Sequence, residues 1–308
     1  MSFKKESSLK IYKDLNIYKS ISLANFTTWR VGGNAEWFAE PKDIHEIKEL
    51  IDWSNKNKLT FRIIGAGSNL LINDCEIKGL SISLRKFHGV KVNKENESIE
   101  VYAGESIPSL ARHAAKAGMH GLEWSIGIPG TVGGAIVMNA GAQGSCIANW
   151  LESVKVLPLN GDQLFEISCK DLCYSYRTSR LQNEKFLVVS AKFKLKGGHQ
   201  PKELMHITNQ NLNHRKSTQP YNLPSCGSVF RNPEPLKAGK IIEELDLKGF
   251  GIGGAEISHV HANFIINKGD ASAADINALI YLVQKKVKNA YGIELHTEVK
   301  KVGFNLKN

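Results

Sequence analysis

The chain reads as an α+β protein of two or three domains. Three observations carry this reading. Its 308 residues exceed what one ordinary domain needs. Apolar residues recur at helical spacing in some stretches and alternate with polar ones in others. Helix-like and strand-like stretches are also grouped in three blocks of different texture: 1–85, 86–200 and 201–308. An apolar fraction of 42% is ordinary for a folded globular chain.

The first block mixes both elements. "EPKDIHEIKELIDWSNKN" places Ile44, Ile47, Leu50 and Ile51 on one helical face, with Pro41 suited to the first turn. "FRIIGAG" reads as a buried strand entering a glycine turn. The second block is richer in strands. "GVKVNKENESIEVYAGES" predicts a hairpin, and "KFLVVSAKFKLKGG" a strand ended by glycines. Between them, "SIPSLARHAAKAGMHG" brings Leu110, Ala111, Ala114 and Ala117 round at helical spacing, and Gly118 ends that helix. The third block opens with a helix in "ELMHITNQNLNHRK". A second helix starts at Ser272 and Asp275, a capping-box pair, with a stripe of Ile276, Leu279, Ile280, Val283 and Val287. "IELHTEVKKVGF" then alternates as a final strand.

Composition excludes several function classes. The net charge of +10 comes from scattered Lys and Arg rather than a patch, which argues against nucleic acid and fits an anionic small ligand. No apolar run is long enough for a membrane span, and "MSFKKESSLKIYKDLN" has no apolar segment of a secretory leader. Five cysteines without a C-x-x-C pair fit neither a disulfide framework nor a zinc site, so a cytoplasmic setting is expected. His259 and His261 have no carboxylate or cysteine pattern beside them, and no metal is expected. No obligate protein partner is evident.

Two glycine-rich stretches stand out. "IIGAGSNLLI" lacks the third glycine and the following helix of a dinucleotide fingerprint. Its Gly65, Ala66, Gly67, Ser68, Asn69 and Leu70 still form either a plain turn or a nest of N–H groups for a pyrophosphate. "SIGIPGTVGGAIVMNAGAQG" has seven glycines in twenty residues and no Walker lysine. Such backbone packs closely against another segment or a flat phosphorylated ligand. A third stretch, "PSCGSVFRNP", is made of turn residues yet carries Cys226, Ser228, Arg231 and Asn232.

These stretches occur in a fixed order with "NFTTWRVGG", "YSYRTS", "GGAEISHVHANFIIN" and "ELHTEVKKVG". In that order, from about residue 20 to 303, the chain resembles the UDP-N-acetylenolpyruvoylglucosamine reductases, in their shorter second type. The resemblance implies a vanillyl-alcohol-oxidase-type FAD-binding fold, with two α+β subdomains (1–85 and 86–200) and an α+β substrate-binding domain (201–308). It also implies FAD as cofactor, NADPH as reductant and an enolpyruvyl UDP-sugar as substrate. The implied FAD contacts are Gly65 to Leu70, then Ile128, Pro129, Gly130, Thr131, Gly133, Gly134, Asn139 and Gly141. Another flavoenzyme of the same fold, of the sugar-lactone oxidase type, is the alternative. Cys226 departs from the family pattern, where alanine is expected, and would add sensitivity to oxidation.

The implied reaction adds a hydride and a proton across the enolpyruvyl double bond. Charge develops on the adjacent carboxylate, so fixed donors are needed there, and a general acid must reach the neighbouring carbon. By resemblance, Ser228 donates that proton, Arg177 polarises the carboxylate, and Glu298 completes the set. Lys216 and Asn232 match substrate-binding positions. Taken one by one, these residues have plainer readings: a turn serine, a loop arginine, a solvated strand glutamate, and a lysine at a helix C-terminus.

Overall fold

The computed structural model describes residues 9–12, 15–161 and 163–304. The first sheet has five strands in the order Leu9–Tyr12, Leu15–Ser22, Asn34–Ala39, Ile77–Ser83, Phe61–Ile64. Its first two joints are antiparallel and its last two parallel. Helix α1 (Ile44–Lys56) buries Ile47, Leu50 and Ile51 as the spacing predicts. It starts later than expected. Asp43 caps it by accepting from Glu46 N at 2.9 Å, so Pro41 lies outside the first turn. A carboxylate that satisfies an orphan N–H sets a helix start more firmly than a proline does.

The second sheet is antiparallel throughout: Phe165–Ser168, Leu151–Pro158, Phe186–Lys194, Ser98–Tyr102, Val90–Asn93. Helix α2 (Ile107–Lys116) is capped by Ser106, and Gly118 turns the chain away with φ +74°. Helix α3 (Val132–Val137) lies against the strand Phe186–Lys194. The two sheets share one core, from Leu15 and Ile47 to Val154 and Phe193. Helix α4 (Pro201–Thr218) packs on α2, so it sits with the second sheet although it opens the third block.

The last part of the chain builds its own core. Helix α6 (Ala273–Tyr291) packs on a sheet of Gly251–Ile252, Ala255–Ile257 and Ile265–Asn267, and helix α5 (Ala238–Glu244) packs on α6. The capping box at Ser272 and Asp275 is present, and all five apolar stripe residues of α6 are buried. Trp29, Val31 and Leu71 from the first block complete this core. The Trp29 Nε1–H donates to Ile265 O at 2.7 Å, and Asn267 Nδ2 donates to Trp29 O at 2.9 Å.

The expected final strand differs from the alternation. Residues 293–299 form no regular strand beyond a bridge of Thr297 to Phe230. The strand is Lys300–Val302, paired in parallel with Leu70–Ile72. Leu295 and Val299 point inward as the alternation predicts, but the segment threads between other elements instead of joining a sheet along its length.

Candidate active site

The two glycine-rich stretches, distant in sequence, face each other across a cavity of 720 Å³. They also touch: a Cβ at Gly65 would lie 2.4 Å from Thr131 Oγ1. Gly67 has φ +66°, and a Cβ there would meet Phe26 O at 1.9 Å, so only glycine fits. Gly130 is different, because a Cβ there would find only Ser68 Oγ at 3.5 Å and would otherwise project into open space. None of the described residues requires that glycine, whereas a ligand would. The backbone N–H groups of Ala66, Gly67, Ser68 and Asn69, and of Gly130 and Thr131 opposite, donate to no acceptor among the described residues. Two facing rows of unengaged donors suit a pyrophosphate. This donor set and the space above Gly130 fit FAD. Ile128, Pro129, Gly133, Gly134 and Gly141 also line the cavity, as does Leu70.

One wall carries the polar side chains. Arg177 sits in a tight turn closed by paired bonds between Ser175 and Thr178, each at 3.1 Å. Its φ is +53°, a left-handed conformation that costs a non-glycine residue free energy. Arg177 Nη2 donates to Gly141 O at 2.9 Å. Its Nε lies 2.9 Å from Glu298 Oε1, an ion pair whose N–H direction misses the oxygen. That donor is buried against the Glu298 carboxyl. Glu298 is itself largely buried. Burial holds its carboxyl above the ordinary carboxylate range, and Arg177 and Arg231 offset this only in part.

Backbone pairing locks Ser228 beside Glu298. Glu298 N donates to Val229 O at 2.8 Å, and Arg231 N to His296 O at 2.9 Å. Asn263 clamps the same segment, accepting from Phe230 N at 3.0 Å and donating to Phe230 O at 2.9 Å. Gly227, with φ +74°, makes the turn before Ser228. The Ser228 hydroxyl lines the cavity and has no hydrogen-bond partner among the described residues. Asn69 links the wall to the first glycine stretch, its Nδ2 donating to Glu298 O at 3.1 Å.

Three expected contacts lie elsewhere. Lys216 is exposed, 5.7 Å from the centroid of the Tyr221 ring, because the face of α4 turned to the cavity carries Asn211, Arg215 and Thr218. Asn232 is exposed and its Oδ1 accepts from Ala238 N at 3.1 Å, which holds the start of α5. Asn139 spends its side chain on Ser175 O (3.0 Å) and Ala148 N (3.1 Å), so it shapes the Arg177 turn from behind the cavity. Cys226 also differs from expectation. It is buried, donates to Ser68 O at 3.0 Å, and burial pushes its thiol pKa up, which shields it from oxidation. Sequence reading missed Arg215 and Lys300, which line the cavity. The helical spacing of Asn211, Arg215 and Thr218 was the available signal.

A model for the UDP-N-acetylenolpyruvoylglucosamine reductase C-terminal domain matches residues 219–302, and an FAD binding domain model matches 35–165. A UDP-N-acetylenolpyruvoylglucosamine reductase of Prochlorococcus marinus (strain MIT 9313) is 59% identical over 297 residues, covering 96% of this chain and 97% of the relative. The chain belongs to the UDP-N-acetylenolpyruvoylglucosamine reductase family. It is an FAD-dependent oxidoreductase of the expected fold. Another family member, from Synechococcus sp. (strain CC9605), is 60% identical over 284 residues, 92% of this chain and 95% of its own. The crystal structure of the Thermus caldophilus reductase superposes with a TM-score of 0.78 at 30% identity, covering 96% of this chain and 99% of that one. Among the described residues, no helix is long and apolar enough to cross a membrane, and no cluster of side chains could hold a metal ion.

Proposed function

We propose that this protein reduces the enolpyruvyl ether of UDP-N-acetylglucosamine to UDP-N-acetylmuramate, with NADPH as reductant, in cytoplasmic peptidoglycan precursor synthesis. The observation that carries this reading is the convergence of Ser228, Arg177 and Glu298 on one wall of the cavity that the glycine stretches line. Whole-chain similarity to reductases with that name supports the substrate.

A bound flavin supplies hydride chemistry. The chain's own residues manage charge and proton. The planar guanidinium of Arg177, which lines the cavity, binds the substrate carboxylate and stabilises the negative charge that spreads onto it. Glu298 lies beside that charge, paired with Arg177, and burial raises its affinity for a proton. Ser228 gives its hydroxyl proton to the carbon next to the carboxylate. A hydroxyl is a weak acid, and the strongly basic carbon of an enediolate-like species compensates for this. With hydride at the terminal carbon and a proton at its neighbour, the double bond becomes a lactyl ether and the electrons balance.

Ser228→Ala tests the assignment. The change removes one oxygen that bonds to nothing else in the described chain, so folding and FAD content should survive. In anaerobic stopped-flow measurements, bleaching of the flavin by NADPH should keep the parent rate. Re-oxidation by the enolpyruvyl UDP-sugar should slow by about a hundredfold to ten-thousandfold, the range for losing a general acid. Re-oxidation at the parent rate would remove Ser228 from the chemistry.

A further inference from the structure

The wall that carries Arg177, Ser228 and Glu298 is built from two pieces of the fold. Arg177 lies in a turn between the strands Phe165–Ser168 and Phe186–Lys194 of the second sheet. Ser228 and Glu298 flank core residues of the last domain, Val229 and Val299. Each piece is fixed within itself. The Ser175–Thr178 bonds close the turn, and the Glu298–Val229 bond holds Ser228 beside Glu298. The reaction needs the guanidinium of one piece and the hydroxyl of the other at a set spacing. A misplacement of about 1 Å can cost about a hundredfold in rate. The contacts that hold one piece against the other therefore set the reaction geometry.

The ion pair of Arg177 with Glu298 is one such contact, but both its members line the cavity and meet the substrate. Arg231 supplies another. It follows Ser228 in the same segment and is not among the residues that line the cavity. Its backbone N–H is fixed on His296 O at 2.9 Å, and its Nη2 donates to Arg177 O at 3.3 Å. The same oxygen accepts from Gln182 Nε2 at 2.9 Å, and that amide also donates to Val137 O at 3.2 Å, at the end of α3. The Arg177 peptide is thus held by two elements, α3 through Gln182 and the last domain through Arg231. Its φ of +53° persists only where the surroundings over-determine it. Arg231 Nε is buried and has no hydrogen-bond partner among the described residues. An unmet buried donor is costly, so an apolar side chain would fill this space better if filling it were the only task. The Arg231 charge also lies near enough to Glu298 to draw that carboxyl's pKa down against the effect of burial, and it draws Lys300 down as well.

We propose that Arg231 and Gln182 are positioning residues that act through the Arg177 carbonyl oxygen: Gln182 holds the strained turn on α3, and Arg231 ties it to the last domain, fixing the spacing between the Arg177 guanidinium and the Ser228 hydroxyl. The proposal rests on the function given above and names what sets its geometry. The Arg231 tie involves no group that meets the substrate, so it stays in place while the Arg177–Glu298 pair adjusts to an incoming carboxylate.

The test uses FAD-loaded protein with Arg231→Met, Arg231→Lys and Gln182→Met, each alone and combined with Arg177→Lys. Flavin content serves as the control for folding. In anaerobic stopped-flow measurements, bleaching by NADPH should keep the parent rate. At saturating enolpyruvyl UDP-sugar, re-oxidation of Arg231→Met should slow roughly tenfold to hundredfold, the range for losing one charge-assisted bond. Arg231→Lys, which keeps a cationic donor, should recover part of the loss, and Gln182→Met should slow the same step. The combined variants give the deciding measurement, because Arg177→Lys removes the guanidinium that the tie positions. In that background Arg231→Met and Gln182→Met should each cost no more than about a further twofold. If Arg231→Met loses its flavin, Arg231→Lys and Gln182→Met carry the same cycle. Losses that multiply in full, a slower NADPH phase, or a higher half-saturating concentration with the saturated rate unchanged each overturn the proposal and leave the reductase activity in place. Parent protein that the enolpyruvyl UDP-sugar fails to re-oxidise overturns the function itself, and the proposal with it.

Discussion

Arg177 and Glu298 are the residues whose surroundings depart most from their plain sequence readings. Arg177 holds a left-handed turn conformation, with one N–H spent on Gly141 O and another left without an acceptor. That geometry depends on the guanidinium's planar fork, which an ammonium lacks. Arg177→Lys should therefore cut turnover by roughly a hundredfold or more with FAD still bound, and a near-parent steady-state rate would rule Arg177 out. Glu298 allows a second test, through pH. Its carboxyl is held above its ordinary value of 4.5, mainly by burial. Folded protein then binds more protons at this site than unfolded protein does. Stability is free of any penalty below the ordinary value and declines as pH rises through it toward the raised folded value. Glu298→Gln carries no charge at any pH. Its melting temperature relative to the parent should therefore climb as pH rises above about 4.5. Melting curves that run in parallel across that range would show that Glu298 titrates normally.

At the scale of elements, the glycine stretches divide into two kinds of position. Gly67 is required by its own backbone and by Phe26 O. Gly130 is required by nothing among the described residues, since a Cβ there would make only an ordinary contact with Ser68 Oγ. The two predict different failures. Gly67→Ala should destabilise the fold through strain and collision. Gly130→Val should fold with a melting temperature, measured without cofactor, close to that of the parent apoprotein, yet purify colourless because its side chain occupies ligand space. Stoichiometric FAD in Gly130→Val would place the cofactor elsewhere. The segment after Gly227 follows a similar rule. Its turn residues, which look like an ordinary loop, are held to residues 296–298 by backbone bonds and by Asn263, so a loop is given the rigidity a catalytic group needs.

In the whole molecule, the last domain is tied back to the first sheet by contacts far apart in sequence. Trp29 enters its core, and Lys300–Val302 pairs with Leu70–Ile72. Asp74 accepts from Ala273 N at 2.9 Å and Ala274 N at 3.0 Å, a carboxylate of the first block on the first turn of α6. A cap of this kind contributes about 1 kcal/mol, with a further gain from negative charge at a helix N-terminus. Asp74→Ala should loosen this joint, visible as faster proteolysis near residue 74 and a melting point lower by about 2–4 °C. An unchanged melting point and digestion pattern would mean that the Trp29 and Lys300–Val302 contacts carry the joint alone.

The amino-acid sequence by itself determined whatever depends on neighbours a few positions away. The stripe of α6, its Ser272–Asp275 capping box, the end of α2 at Gly118 and the glycine-dense backbone are all local, because helical period, capping and φ preference act over one or two turns. The family motifs also marked Arg177, Ser228 and Glu298, which the fold brings to one wall. Tertiary structure alone decided the rest. Lys216 and Arg215 are adjacent in sequence, yet the packing of α4 on α2 turns Arg215 into the cavity and leaves Lys216 in solvent. Asn139 and Asn232 have side chains suited to a ligand, but backbone groups brought close by folding claim them first. The 293–299 segment alternates like a strand but finds no strand to pair with along its length. Pairing and burial are settled by partners 30 to more than 200 residues away, as Ser175 is from Asn139 and Ile265 from Trp29, and no local pattern records which partner arrives.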